Sequence, residues 1–343
     1  MSILIVKLGA LGDVLRTTPL LTALKKKYPA SRVTWVVDKN NADVLTDNPL
    51  IDKLISYTPQ TPARLSKEKP FELAINLDKE KEALDCVMMA PSKKKMGFGR
   101  DASGALAPLN PESDYAYRLG IDDELKFRTN KKTYQQISFE QVGLEFGGEE
   151  YLFSPGADAF CSIDTYFEGR QIDLLTLPRP IIGLNTGSGH RFAGKRLPVE
   201  TFVELARFFH DRLKATVFLL GGRDEIERNR SIEVMSSRPV INTGSHSIRE
   251  FAAIIKLCDA IISGDTTAMH IAIAMKVPVV SYFASTCAAE IELYGRGKKV
   301  ISEIACAPCY KKICPIGEQC MKDMRAEELY AAVLQVLPKT IGV

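Results

Sequence analysis

Short runs of β-branched and apolar residues alternate along the chain with longer stretches whose apolar positions recur at helical spacing. That is the pattern of βα units built around parallel sheets. In the first half, Ile3–Leu8, Arg32–Val37, Lys53–Tyr57 and Phe71–Leu77 read as strands. Leu20, Leu21, Leu24 and Tyr28 share one helical face, with Lys25 to Lys27 largely outside it. Pro19 suits the first turn of that helix, with Thr18 as its N-cap, which leaves Asp13–Thr17 as a separate turn. Residues 93–153 are less regular, and Gln171–Pro180 has the look of an interdomain linker. After it the alternation restarts. Strands are expected at Ile181–Asn185, Thr216–Leu220, Val240–Asn242, Ala260–Ser263 and Val277–Phe283. Helices are expected at Val199–Leu213, Glu225–Ser236, Ile248–Leu257, Thr266–Met275 and Ala326–Leu337.

A chain of 343 residues exceeds what one hydrophobic core usually organises. The expectation is therefore two Rossmann-like α/β domains in tandem, residues 1–170 and 171–343, with ligands bound between them at the carboxyl ends of strands. Apolar residues make up 45% and charged residues 25%, ordinary for a soluble globular protein. The net charge of +3 is too small to point to nucleic acid. The apolar run at the N-terminus is too short for a signal-peptide core, and no segment reaches the roughly 20 apolar residues that span a bilayer. A cytoplasmic location is expected. Four of the eight cysteines crowd into Cys306, Cys309, Cys314 and Cys320. Their spacing is not a standard zinc pattern, so a structural metal, disulfides and free thiols all stay open.

Candidate chemistry sits where strands end. The first strand runs into Lys7-Leu8-Gly9-Ala10-Leu11-Gly12-Asp13, where glycines allow close backbone approach and Asp13 opens a helical turn. Asp13 could be a plain N-cap, or a base that takes a proton from a hydroxyl. A dinucleotide site, with Asp38 on the ribose, is disfavoured. The three-glycine fingerprint is missing, and a carboxylate at the helix start would repel a pyrophosphate. In the second half, Thr186-Gly187-Ser188-Gly189-His190-Arg191 followed by Lys195-Arg196 makes a plausible phosphate cradle. Gly221-Gly222-Arg223-Asp224-Glu225 supplies a carboxylate suited to ribose hydroxyls. Ser263-Gly264-Asp265-Thr266-Thr267-Ala268-Met269-His270 ends a strand and opens a helix whose N–H groups favour a diphosphate, with His270 one turn in.

Taken together, these loops resemble the heptosyltransferases of glycosyltransferase family nine. The likeness covers most of the chain and is strongest over residues 3–37 and 181–285. It rests on the opening Ile-Leu-Ile-Val-Lys-Leu-Gly-Ala-Leu-Gly-Asp-Val with Pro19, on Thr34-Trp35-Val36-Val37-Asp38, and on the segment Gly264–Ala272. The chain departs from the family pattern at Thr267, where glycine is usual, and in lacking a tryptophan before Pro198. The cysteine cluster is similar to the tail of some members.

The resemblance implies a GT-B fold, two Rossmann-like domains whose parallel sheets face across a cleft. Residues 1–170 would take the acceptor and 171–343 an ADP-sugar. The implied reaction is inverting transfer of heptose from ADP-heptose to the inner core of lipopolysaccharide, either Kdo–lipid A or heptosyl-Kdo–lipid A. Asp13 would be the catalytic base. Ser188, Lys195, Glu225, Asp265, Thr266, Thr267 and His270 would hold the donor. No Asp-x-Asp element occurs in the donor loops, so no cofactor or catalytic metal is expected. The acceptor is an anionic lipid-linked saccharide, and Lys93, Lys94, Lys95 and Arg100 would face it or the inner surface of the cytoplasmic membrane. The alternative is another nucleotide-sugar enzyme on the same fold, a different transferase or an epimerase.

Overall fold

The computed structural model describes residues 1–188 and 194–338. Its first sheet contains β1 (Ser2–Val6), β2 (Arg32–Val37), β3 (Lys53–Ser56), β4 (Leu73–Asn76), β5 (Lys95–Arg100) and β6 (Leu106–Pro108). These lie in the order β3-β2-β1-β4-β5-β6. All neighbours are parallel except β5 and the edge strand β6, which are antiparallel. The second sheet contains β7 (Ile181–Asn185), β8 (Thr216–Leu220), β9 (Ile241–Asn242), β10 (Ala260–Gly264), β11 (Val279–Phe283) and β12 (Gly297–Ile301). Its order is β12-β11-β10-β7-β8-β9, parallel throughout. The central strands β4, β7, β8, β10 and β11 are buried at every position. Helices cover both faces of such sheets, so these strands read as unbroken apolar runs rather than alternating ones.

In each sheet the first strand lies centrally, the next two step to one side, and the fourth begins the other side. The chain therefore reverses direction between β1 and β4, and again between β7 and β10. Loops leaving the carboxyl ends of two such strands diverge and open a crevice, the usual ligand position in open α/β sheets.

Most predicted elements recur within a residue or two, but three corrections follow. Thr18 has helical backbone angles and its hydroxyl donates to Leu15 O at 2.7 Å, so it joins the helices Leu11–Thr17 and Pro19–Lys27 rather than capping the second. Residues 93–153 hold strands β5 and β6 and the helices Asp114–Arg118 and Tyr134–Gln141. The chain also divides earlier than residue 170. One unit comprises Met1–Phe153 with Ala289–Glu292, and the other Ser154–Ala288 with the chain from Leu293 onward. The reason is the helix Ala157–Gly169, which buries Ala159, Ile163 and Phe167, the last stacked 5.6 Å from Phe218 of β8. Gln171–Pro180 is consequently internal to the second unit. Among the described residues no helix is long and apolar enough to cross a membrane.

The helix Ile248–Leu257 illustrates how local chemistry sets these elements. Ser247 accepts from Glu250 N–H at 3.3 Å, while the Glu250 carboxylate accepts from Ser247 N–H at 3.0 Å, a reciprocal cap. Glu250 also accepts from Ser162 of the helix Ala157–Gly169 at 2.6 Å. Hydrogen bonds from Ser162 and then Ser247 hold its carboxyl down at about 2. Ser247→Ala should cost about 1 kcal/mol at neutral pH by denaturant unfolding. A lowered carboxylate pKa stabilises above its unfolded value and loses that contribution as pH falls. Wild type should therefore lose more stability than Glu250→Gln between about pH 4.5 and 2. Parallel losses would refute this.

Candidate functional site

At the crossover of the first sheet, β1 continues into Lys7 and β4 into Asp78, and both side chains are about 5% exposed. The Lys7 ammonium donates to Asp78 Oδ1, and Asp78 Oδ2 accepts from Leu8 N–H at 2.6 Å. Burial alone would discharge Lys7. The charges of Asp78 and Asp13 and the hydrogen bond to Asp78 outweigh it and hold the lysine above its ordinary value, while burial raises the Asp78 carboxyl. Asn41 donates to Leu8 O at 2.8 Å from the far side. A Cβ on Gly9 would lie 3.0 Å from that amide nitrogen, so the loop approaches as closely as glycine allows.

This anchored loop leads directly into the helix Leu11–Thr17. Asp13 occupies its third position rather than the N-cap, which is Ala10. Its Oδ2 accepts from Ala10 N–H at 3.0 Å, and its Oδ1 pairs with Arg16 at 2.8 Å. The Asp13 side chain keeps 30% of its surface exposed, so it is open to solvent. Arg16 also pairs with Glu290 at 3.7 Å and lies 3.9 Å from the ring centroid of Tyr134. Tyr134 donates its hydroxyl to Thr17 Oγ1 at 2.8 Å, and Thr17 donates in turn to Asp13 O at 2.7 Å. Burial, first of all, raises the Tyr134 phenol above its ordinary range, so it remains a neutral donor. The Asp38 carboxylate caps the turn Lys39–Val44 by accepting from Asn40 N–H at 2.8 Å, and the Asp38 N–H donates to Leu8 O at 3.1 Å.

The crossover of the second sheet carries a polar set of different character. Asn185, at the end of β7, donates to Gly187 O at 2.9 Å, Ser263 Oγ at 3.2 Å and Thr266 Oγ1 at 3.3 Å. One buried amide thus ties the β7 loop to the β10 loop. Thr266 is the extended N-cap of the helix Thr267–Ala274, and its hydroxyl points to Ser263 and Asn185 instead of capping. The first N–H groups of that helix are not capped by it and are available to an anion. Lys195 pairs with Asp265 at 3.4 Å, and Arg196 donates to Ser188 at 3.2 Å. Glu225 is buried in a 3-10 turn, where it accepts from Gly222 N–H at 3.0 Å. A Cβ on Gly187 would overlap its carboxyl group, so a side chain there would have to displace it. His270 is buried one turn along the helix. Ser188, Lys195, Asp265 and Thr266 are joined by these contacts around the crossover, Glu225 reaches it beside Gly187, and Thr267 and His270 stand on the helix that opens there. Gly189, His190 and Arg191 lie outside the described residues.

The remaining residues named from the sequence fall as follows. Strand β5 runs parallel to β4, so Lys93, Lys94 and Lys95 stand at its amino edge, opposite the edge that carries Asp13. A strand of this length separates the two edges by about 17–20 Å. Lys93 pairs with Glu72 at 3.5 Å, and Lys95 donates to Met88 O at 2.8 Å. Arg100, at the carboxyl edge, pairs with Asp85 at 3.1 Å. Cys306, Cys309, Cys314 and Cys320 form no disulfide. No group of three or more potential metal ligands is gathered among the described residues. Burial raises the Cys320 thiol, and the neighbouring Cys314 adds to the effect. Sequence reasoning missed Asp78, Arg16, Tyr134, Glu290 and Asn185. The end-of-strand positions of Asp78 and Asn185 were a usable signal for two of them.

Removing one partner of a buried pair leaves the other charge uncompensated, typically at a cost of about 3–5 kcal/mol. Asp78→Asn should destabilise the first unit by that order in chemical denaturation. The double replacement Lys7→Met with Asp78→Leu should cost markedly less, because no orphaned charge remains. A double variant as unstable as the single one would show that the pair contributes more than charge balance.

Residues 63–319 match the profile of glycosyltransferase family 9 (heptosyltransferase). Lipopolysaccharide heptosyltransferase 1 of Pseudomonas aeruginosa is 24% identical over 339 residues, covering 92% of this chain and 87% of that protein. Lipooligosaccharide heptosyltransferase 2 of Campylobacter jejuni is 26% identical over 157 residues, 44% of this chain and about half (49%) of that protein's length. Among solved structures, a family 9 glycosyl transferase from Veillonella parvula superposes with a TM-score of 0.74 at 20% identity, covering 98% of this chain and 96% of that one. The Escherichia coli heptosyltransferase WaaC, solved with ADP-2-deoxy-2-fluoro heptose, gives 0.61 at 16% identity, covering 98% and 99%. The fold is GT-B, two Rossmann-like domains. With three quarters of its length inside the family profile, the chain belongs to glycosyltransferase family 9, the heptosyltransferases.

Proposed function

We propose that this enzyme transfers heptose, with inversion, from ADP-heptose to a lipid-linked saccharide of the lipopolysaccharide inner core, working at the cytoplasmic surface of the membrane. The observation that carries the reading is Asp13, a reachable carboxylate fixed through both oxygens at a sheet crossover. A general base needs defined placement and an open approach for the proton it accepts, and Asp13 has both. The donor assignment is supported by the second crossover. Lys195 and the opening of the helix Thr267–Ala274 offer the cation and dipole that a departing ADP requires, and no step depends on a metal. Asp265 would turn from Lys195 to the sugar hydroxyls when the diphosphate engages the lysine. The Glu225 loop would enclose the nucleoside. Kinship with named lipopolysaccharide heptosyltransferases, and the ADP-heptose analogue bound in one structural neighbour, support the substrate classes.

Asp13→Asn keeps size and hydrogen bonding but removes the proton acceptor. Turnover should fall about 10²–10⁴-fold, while calorimetric affinity for ADP-heptose stays nearly unchanged. ADP-sugars should bind much more tightly than UDP-sugars. A folded Asp13→Asn enzyme within a few-fold of wild type would remove Asp13 from the mechanism. Preferred UDP binding would overturn the donor. Consumption of the sugar nucleotide without acceptor would favour an epimerase.

A further inference from the structure

Arg16 is held on three sides. One guanidinium nitrogen meets Asp13 at 2.8 Å, another meets Glu290 at 3.7 Å, and the Tyr134 ring lies against its plane at 3.9 Å. Gln135 donates to Arg16 O at 3.2 Å, fixing the backbone beneath. Glu290 is itself tied down, since its carbonyl accepts from Tyr134 N–H at 2.9 Å. It arrives on the segment Ala289–Glu292, which packs into the first unit although the chain on either side belongs to the second. We propose that Glu290 is a positioning residue for the transfer, acting on Asp13 through Arg16. The proposal rests on the reading of Asp13 as the base.

The physical argument has two parts. A planar guanidinium gripped by one carboxylate can swing with it, whereas one anchored at both ends against an aromatic face cannot. Glu290, whose contact at 3.7 Å is an ion pair and not a hydrogen bond, draws the arginine by charge and so restrains the group that pairs with Asp13. The second part is electrostatic. An arginine paired with Asp13 alone would stabilise its anion fully and make it a poor proton acceptor. Sharing the cation with a second carboxylate offsets this and keeps Asp13 basic enough to work.

Other charged and titratable groups face the network. Lys7, Tyr134 and Tyr151 surround Asp13 and Arg16. Lys79 lies near Glu290, with Lys126 and Glu80 beyond it. Burial, with Lys126 second, brings the Lys79 ammonium down to about 8, so it loses its charge on the alkaline side and leaves the acidic limb to the carboxylates.

The test is a pH–rate profile under saturating donor and acceptor. Glu290→Gln should lower kcat on the order of tenfold and leave the donor KM within about twofold. Its acidic limb should move to lower pH, because Arg16 then serves Asp13 alone. Glu290→Asp should keep the wild-type limb, since the charge remains. If Glu290→Gln does not fold, Glu290→Met, similar in length and uncharged, is read in its place against the same expectations. An unchanged kcat and limb in the folded uncharged variant, with Asp13→Asn inactive, would overturn the proposal and spare the base assignment. A limb that moves equally in Glu290→Asp would overturn it as well. An active Asp13→Asn enzyme would overturn both.

Discussion

The buried pair between Lys7 and Asp78 is the interaction on which the first unit's functional edge depends. These two residues extend β1 and β4, the strands between which the sheet reverses direction. Their charges are affordable in the interior only because each neutralises the other and Asp78 also accepts from Leu8 N–H. That last bond fixes the backbone entering Gly9, and hence the start of the helix that carries Asp13. A crevice at a strand crossover is a topological consequence of the fold. What makes this one chemically definite is an ion pair that locks the loop leaving it.

The two crossovers show how one topology can carry two polar sets of different character. Both sheets have the same strand order, and both place polar residues where the fourth strand meets the first. In the first unit the crossover is built of full charges, Lys7, Asp78, Asp13, Arg16 and Glu290, so proton affinities are tuned by neighbours. In the second it is organised by a neutral amide, Asn185, with hydroxyls of Ser263 and Thr266 and an uncapped helix start. A neutral, dipolar floor suits a diphosphate, which brings its own charge and needs donors rather than more anions. Lys195 and Asp265 stand beside it as an ion pair.

Much of this was legible in the sequence because the relevant signals are local. Buried parallel strands announce themselves as short β-branched runs, and β7, β8 and the helices Val199–Leu213 and Ile248–Leu257 fall where the pattern puts them. Glycine-rich strand ends picked out Asp13, Glu225 and Thr266, because backbone approach and helix starts depend on residues adjacent in the chain. The run Lys93 to Lys95 shows the limit of such local signals. A run of lysines is visible in sequence, but which edge of a sheet it occupies depends on strand direction.

Only the tertiary structure could decide the remainder. Asp78 is separated from Lys7 by 71 positions, and nothing local to either declares the pairing. Glu290 lies far downstream of Arg16, on a short segment surrounded in sequence by the other unit. The early division at Phe153 likewise reflects the packing of Phe167 on Phe218, not the composition of the proline-bearing stretch that follows. The sequence by itself determined which segments become strands and helices and which loops carry reactive side chains, because periodicity and turn chemistry act over a few residues. The folded chain decided which charges face one another, since electrostatic partnership is set by distance in space, and chain separation places no bound on it.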